Sequence, residues 1–244
     1  MPIAKWDRSK GSPEPVVALN RVVERDTGEP LVDVRSSCPL VLIKRPQVIP
    51  YLRKTVAEML DRASRRLPEG IRFEALECWR PLERQRRIYD WHFQAAKEAF
   101  PDRPFASLRR TVNRFVAPVT EKAPPGHCTG AAVDVVLVDA GGEPIDVSSP
   151  FDRFSAAPTY SLGLDPAASK ARETLVMAML EEGFSNCRDE WWHYSWGDAG
   201  WAVRLGLTEC HYGRIELEPE LYAEQEALWE VAYRDRKNPF LEGR

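Results

Sequence analysis

Only four histidines occur in the chain, His92, His127, His193 and His211, so each can be weighed by its neighbours. His127 opens the run His127-Cys128-Thr129-Gly130-Ala131-Ala132-Val133-Asp134, and Asp134 stands inside the nearly continuous apolar stretch Ala131 to Val138. A carboxylate placed there loses its water at considerable cost unless a positive or hydrogen-bonding group compensates. A divalent metal would do so directly. Backbone amides or an arginine would serve as well, and Asp134 alone does not choose between them. The second segment, Glu190-Trp191-Trp192-His193-Tyr194, sets a carboxylate three residues before a histidine among side chains that leave little water, which raises the basicity a carboxylate can show. A histidine in a tryptophan-rich strand can equally be a core residue satisfied by hydrogen bonds; His193 gains weight from the company of His127 and Asp134.

Two imidazole nitrogens and one carboxylate oxygen suit zinc, one ion per chain, and leave a fourth position for water. The metal would lower the pKa of that water, Glu190 would take its proton, and the product would attack a peptide carbonyl. The developing oxyanion then needs a cation. Arg80, in Cys78-Trp79-Arg80-Pro81 between a strand and a helix, is the candidate, although its position also fits a surface salt bridge.

These side chains must be carried by particular elements. In a straight strand Asp134 shares a face with Gly130 and Ala132, whereas His127, an odd number of residues away, would point to the other face. A shared ion therefore demands a bend, and Thr129-Gly130 is where the chain can make it. The Ala131–Val138 run reads as a buried strand turning at Gly141-Gly142 into a hairpin with Pro144 to Val147. Further strands are expected over Leu40 to Ile43, Ile71 to Cys78 and Trp191 to Trp196. Helical spacing predicts helices over about 50–66, from Pro81 through Ala96 with His92 on its apolar face, over Pro166 to Glu182, and over Leu221 to Tyr233 using Leu221, Leu228 and Val231. Residues 100–126, rich in Pro and Arg and without a clear period, read as a long loop or lid, and Ser149 to Asp165 as another loop.

Composition bounds the rest. With 43% hydrophobic and 29% charged residues the chain reads as a soluble globular protein, and its 20 prolines argue for a loop-rich fold. A formal charge of -3, from 34 basic and 37 acidic residues, gives no footprint for nucleic acid or an anionic membrane. No apolar stretch is long enough to span a bilayer, and the polar start lacks a signal-peptide core, so a cytoplasmic location is expected if Met1 is the native start. Five cysteines without CxxC spacing speak against a disulfide framework or a cysteine-rich zinc knuckle.

Taken together, the segments resemble the D-alanyl-D-alanine dipeptidases, the family that includes the vancomycin-resistance enzymes. That family carries S-x-H-x-x-G-x-A-x-D, later E-x-W-H, and an arginine in a W-R-P-like turn ahead of both; here these stand as His127 to Asp134, Glu190 to His193 and Trp79-Arg80-Pro81. Phe151-Asp152-Arg153-Phe154-Ser155 looks like the family's F-D-x-F-S. The resemblance implies zinc on His127, Asp134 and His193, Glu190 as general base and later acid, Arg80 at the tetrahedral intermediate, and Asp152 on the ammonium group of a small dipeptide substrate. It implies an α+β fold with a small central antiparallel sheet flanked by helices and the zinc site at the sheet face. The sequence departs from the family in the serines flanking the first histidine: Pro125-Gly126 precede it and Cys128 follows. Backbone amides would then take the substrate carboxylate, or the preferred C-terminal residue differs from D-alanine; Cys128 itself reads as a small core residue.

The expected organisation is an irregular lead-in over 1–30, a zinc dipeptidase domain over 31–205 and a C-terminal extension over 206–244 with an acidic amphipathic helix, either packed on the body or forming a homodimer contact. Two other readings share the scaffold: a D,D-carboxypeptidase or endopeptidase acting on peptidoglycan peptides, against which the missing export signal speaks, and a non-catalytic binding protein, against which the complete residue set speaks.

Overall fold

A computed structural model describes residues 14–119, 122–147, 157–234 and 236–241. The chain begins with a short helix α1 (Val16–Leu19), strands β1 (Val23–Glu24) and β2 (Leu31–Asp33), and helix α2 (Val34–Ser37). Next come β3 (Tyr51–Arg53), α3 (Lys54–Ser64), β4 (Arg72–Glu77), α4 (Leu82–Ala99) and α5 (Phe105–Val112). A 3-10 turn, Gly126–Thr129, leads into β5 (Ala132–Val138), followed by α6 (Pro166–Glu181), β6 (Ser185–Asn186) and β7 (His193–Ser195). Helix α7 (Ala199–Arg204), β8 (Glu209–Cys210), a second 3-10 turn (Pro219–Leu221) and α8 (Ala223–Arg234) complete the described chain. Helices are thus mixed with small sheets. The largest, in the order β4-β5-β7-β6, is antiparallel throughout; β2 pairs antiparallel with β3, and β1 parallel with β8.

The pleat of β5 turns alternate residues into the core. Val133, Val135 and Leu137 join Phe73 and Ala75 of β4 and Tyr194 of β7 in a core closed by α3 and α6. The alternate residues, Ala132 and Asp134, face the other side. Helix α6 is well specified locally: Asp165 accepts a hydrogen bond from the Ala168 amide at 2.8 Å, and Pro166 fills the first turn. A second apolar cluster joins α4, α5 and α8 through Ile88, Ala96, Leu108, Val112 and Trp229. No helix among the described residues is long and apolar enough to cross a membrane.

Several elements differ from the sequence expectation. Residues 16–24 of the lead-in form α1 and β1, and β1 pairs with β8, a partner too remote in the chain for local pattern to reveal. The helix expected from residue 50 starts at Lys54, because Tyr51–Arg53 is drawn into pairing with β2. Leu40 to Ile43 contributes a single bridge, Leu42 to Glu74, rather than a strand. The hairpin beyond Gly142 shrinks to one bridge between Val138 and Pro144, where proline has no N–H for the ladder. The expected loop over 100–126 contains α5, whose buried residues are only Leu108 and Val112. The helix expected from Leu221 starts at Ala223; α8 turns Trp229 inward and leaves Leu228 and Val231 exposed, as is Leu221 in the preceding 3-10 turn. Arg84 and Arg87 of α4 explain this, stacking on the Trp229 ring at 5.3 and 4.8 Å while pairing with Glu226 and Glu230.

The bend required between His127 and Asp134 is the 3-10 turn closed by Gly130 at φ +70°. The buried Arg53 braces it: its Nε donates to the Thr129 carbonyl at 2.8 Å, and its backbone amide donates to that of Gly130 at 2.8 Å. A Cβ at position 130 would collide with the Leu31 side chain and crowd the Arg53 amide at 3.4 Å. Gly130→Ala is therefore expected to lower unfolding stability by about 1–3 kcal/mol, read as a fall in the urea midpoint at unchanged slope; an unchanged midpoint would refute the constraint.

Candidate metal centre

Three neighbouring strands bring the site residues into line. Asp134 of β5 lies directly across from His193 of β7 on one side and Glu77 of β4 on the other. Glu77 reaches that position through a bulge: between Ala75 and Glu77 the register shifts, and in an unbulged ladder of the same sequence Glu77 would follow Phe73 and Ala75 into the core. His127 approaches from the 3-10 turn. One ligand atom from each of His127, Asp134 and His193 lies within 4.8 Å of the others. His193 Nδ1 is 2.8 Å from Asp134 Oδ1, His127 Nε2 is 3.3 Å from the same oxygen, and the two rings meet edge to face at 4.9 Å. Ligands around one zinc ion stand roughly 3.4 Å apart, so the donor set fits such an ion with little rearrangement.

The donor chemistry agrees. His127 Nδ1 lies 2.9 Å from the Cys78 carbonyl, which can only accept, so Nδ1 carries a proton and Nε2 is the nitrogen that faces Asp134. The Arg80 amide donates to the His127 carbonyl at 3.2 Å, clamping the same residue from its backbone. Burial alone would raise the Asp134 carboxyl. The charge of His127 and hydrogen bonds from both histidines outweigh that and hold it well below the usual carboxylate range, ready as an anionic ligand.

Glu190 adjoins this group, its carbonyl accepting from the His193 amide at 3.3 Å. Its carboxyl is pushed well above the ordinary value, first by desolvation and then by the charges of Asp134 and Glu14, with Arg80 opposing. Arg80 is largely buried and held at both ends of its fork: it donates to Glu77 Oε2 at 2.7 Å and to Gln85 Oε1 at 2.6 Å, and Gln85 in turn donates to the Ala117 carbonyl at 2.8 Å. Arg80 thus forms a part-buried ion pair with Glu77. Asp152 lies outside the described residues.

Sequence reading missed three contributors. Glu77 fixes Arg80 and neighbours Asp134, the Cys78 carbonyl sets the His127 tautomer, and Glu14 of the lead-in pairs with Arg204 at 2.6 Å close enough to Glu190 to act on its charge. Only cross-strand register, invisible in one chain, would have found Glu77. The space beside Gly126 is taken by Asp198, whose Oδ2 would stand 2.5 Å from a Cβ there. Asp198 is fixed in turn by Ser195 Oγ at 2.6 Å and the Trp201 amide at 2.7 Å. Cys128 is buried and its thiol pushed up to about 12 by desolvation, as a packing residue should be. His92 is also a core residue, its Nδ1 2.8 Å from the Ile88 carbonyl, while His211 packs against the rings of both Trp196 and Trp201.

Comparison with known proteins yields a match to the Peptidase_M15 family model, D-ala-D-ala dipeptidase, over residues 51–211. A D-alanyl-D-alanine dipeptidase of Synechocystis sp. is 34% identical over 111 residues, 38% of this chain and 45% of that protein. One from Escherichia coli K12 is 26% identical over 126 residues, 51% of this chain and 55% of that protein. The chain thus spans about half the length of the curated relatives it matches.

Proposed function

Since the chain belongs to the D-ala-D-ala dipeptidase family, we propose that it hydrolyses D-alanyl-D-alanine or a similar small dipeptide at a zinc ion held by His127 Nε2, a carboxylate oxygen of Asp134 and His193 Nδ1. The observation that carries this reading is the convergence of those three donors, from separate segments, to within 4.8 Å of one another. When bound, zinc supplies Lewis acidity, acidifying a water and polarising the scissile carbonyl.

The chain's own groups do the rest. Glu190 takes the proton from the attacking water and returns it to the leaving amine. Arg80, oriented by Glu77 and Gln85, faces the charge that develops on the carbonyl oxygen. Asp152 pairs with the free ammonium group, which restricts the substrate to dipeptides. Trp191 and Trp192, in edge contact at 5.3 Å, limit water around the base.

The test is hydrolysis of D-alanyl-D-alanine by purified protein, with metal content measured beside it. About one zinc per chain is expected, with activity lost on chelation, restored by zinc, and abolished when the dipeptide's amino group is acetylated. Cleavage of longer peptides ending in D-alanine would favour the carboxypeptidase alternative, and absence of both zinc and turnover would overturn the reading.

A further inference from the structure

The segment after residue 211, which includes α8, lies beyond the residues matched to the family, yet it is tied to the turn that carries Arg80. Trp79 Nε1 donates to the Ile215 carbonyl at 3.0 Å, and the Trp79 ring meets that of Tyr222 edge to face at 5.2 Å. Beside this contact, guanidiniums and carboxylates alternate in a row that runs Arg80, Glu77, Arg84, Glu226, Arg87, Glu230. The row links the candidate metal centre, through Glu77, to α8, and its charges balance.

One member of the row has a choice of partner. Arg84 is buried and donates from Nε to Glu226 Oε2 at 3.0 Å and from Nη1 to the Gln47 carbonyl at 3.1 Å. The same Nη1 lies 3.9 Å from Glu77 Oε1, a buried oxygen that accepts no hydrogen bond among the described residues. The other oxygen of Glu77, Oε2, accepts from Arg80 at 2.7 Å. Glu226 thus meets Arg84 at hydrogen-bond distance and Glu77 does not. Burial lowers the Arg84 guanidinium from its ordinary value, and the charges of Glu77 and then Glu226 oppose that. Were Glu226 neutral, a buried cation would be left with Glu77 as its closest anion, and uncompensated buried charge is costly. A shift of about 1 Å would bring Arg84 Nη1 into hydrogen-bond range of Glu77 Oε1. Glu77 would then serve two guanidiniums, and Arg80 would no longer hold it alone.

We propose that Glu226 of α8 is a positioning residue: by holding Arg84 it leaves the Glu77 carboxylate to Arg80, and so sets the orientation of the arginine that meets the developing oxyanion. This rests on the functional reading above. Glu226 acts through Arg84 and Glu77, at no point by touching substrate or metal, and it gives the C-terminal helix a part in the chemistry.

The experiment compares Glu226→Gln, Arg84→Met and the double variant Glu226→Gln/Arg84→Met, all as the full chain loaded with zinc. Each is first checked for a cooperative melt and for zinc content. Glutamine keeps the shape of Glu226 and removes its charge. Glu226→Gln is expected to lower kcat for D-alanyl-D-alanine about tenfold with KM within about twofold, as a misplaced transition-state contact requires. In the double variant the competing cation is gone, so kcat should return to within about twofold of that of Arg84→Met. A purely structural role for Glu226 predicts the opposite, a double variant at least as impaired as the worse single one. An unchanged kcat in Glu226→Gln, or no recovery in the double variant, would overturn the proposal. A crystal structure of Glu226→Gln gives a readout that needs neither turnover nor a folded Arg84→Met. Arg84 Nη1 is expected within about 3.2 Å of Glu77 Oε1, and a separation unchanged from 3.9 Å would count against the role of Glu226. Failure of the wild type to cleave the dipeptide counts against the functional reading alone, since the displacement of Arg84 still decides whether Glu226 holds it from Glu77.

Discussion

Glu190→Ala should leave a folded, zinc-containing protein that has lost roughly 10²- to 10⁴-fold in kcat, the usual contribution of a positioned base. The expectation follows from where the carboxylate sits. Desolvation and the charge of Asp134 hold its proton on above the ordinary range. A divalent ion on Asp134 and the histidines would oppose that, so the group becomes a competent base only in the loaded protein. Because Glu190 lies outside the set of three converging donors, its removal should spare metal binding. Steady-state rates on D-alanyl-D-alanine, with metal analysis of the same samples, decide the matter: loss of zinc would make Glu190 a ligand, and an unchanged kcat would remove it from the chemistry.

Asp134→Ala should act one step earlier and abolish stable zinc binding. Asp134 Oδ1 is the atom both histidines face, at 2.8 and 3.3 Å, and it is the only anion among the three donors. Two neutral imidazoles alone leave the ion's charge uncompensated in a buried site, where that deficit is most costly. Zinc affinity should therefore fall by more than the roughly 10–100-fold typical of losing an outer partner, and turnover should drop to background at zinc levels that saturate the wild type. Competition against a chromogenic chelator measures this directly, with circular dichroism to verify the fold. Retention of stoichiometric zinc at wild-type affinity would displace the metal from this site.

Much of this architecture was legible where residues carry strong local instructions. The apolar run ending at Val138 gave β5, and Pro166 with Asp165 before it gave the start of α6. The odd spacing of His127 and Asp134 correctly demanded a bend at Gly130. Pairings between distant segments were not legible. Strand β3 takes residues that a helical pattern would claim because β2 lies beside it, and the Arg-rich stretch hid α5 because so short a helix buries only two side chains. In α8 the spacing favoured Leu228 and Val231, but the aromatic Trp229 found two guanidiniums to cover it, and its larger surface prevailed. Within the candidate site, residue types pointed to the three groups that converge, whereas the groups around them, Glu77, Gln85 and the Cys78 carbonyl, depend on strand register and backbone direction.

The bulge in β4 makes chain length, as much as residue identity, a determinant of the site. Between Ala75 and Glu77 the ladder already absorbs one extra residue: one residue more, without a second bulge, would rotate Glu77 through half a turn, strand its charge among Phe73 and Val133, and leave Arg80 without its anchor. Insertions can drift through the outer loops of such a protein over evolutionary time, but in this stretch an added residue changes which way a charge faces. Any effort to transplant the site onto another sheet would have to keep Glu77 opposite the counterpart of Asp134, by copying the bulge with Leu76 or by omitting both.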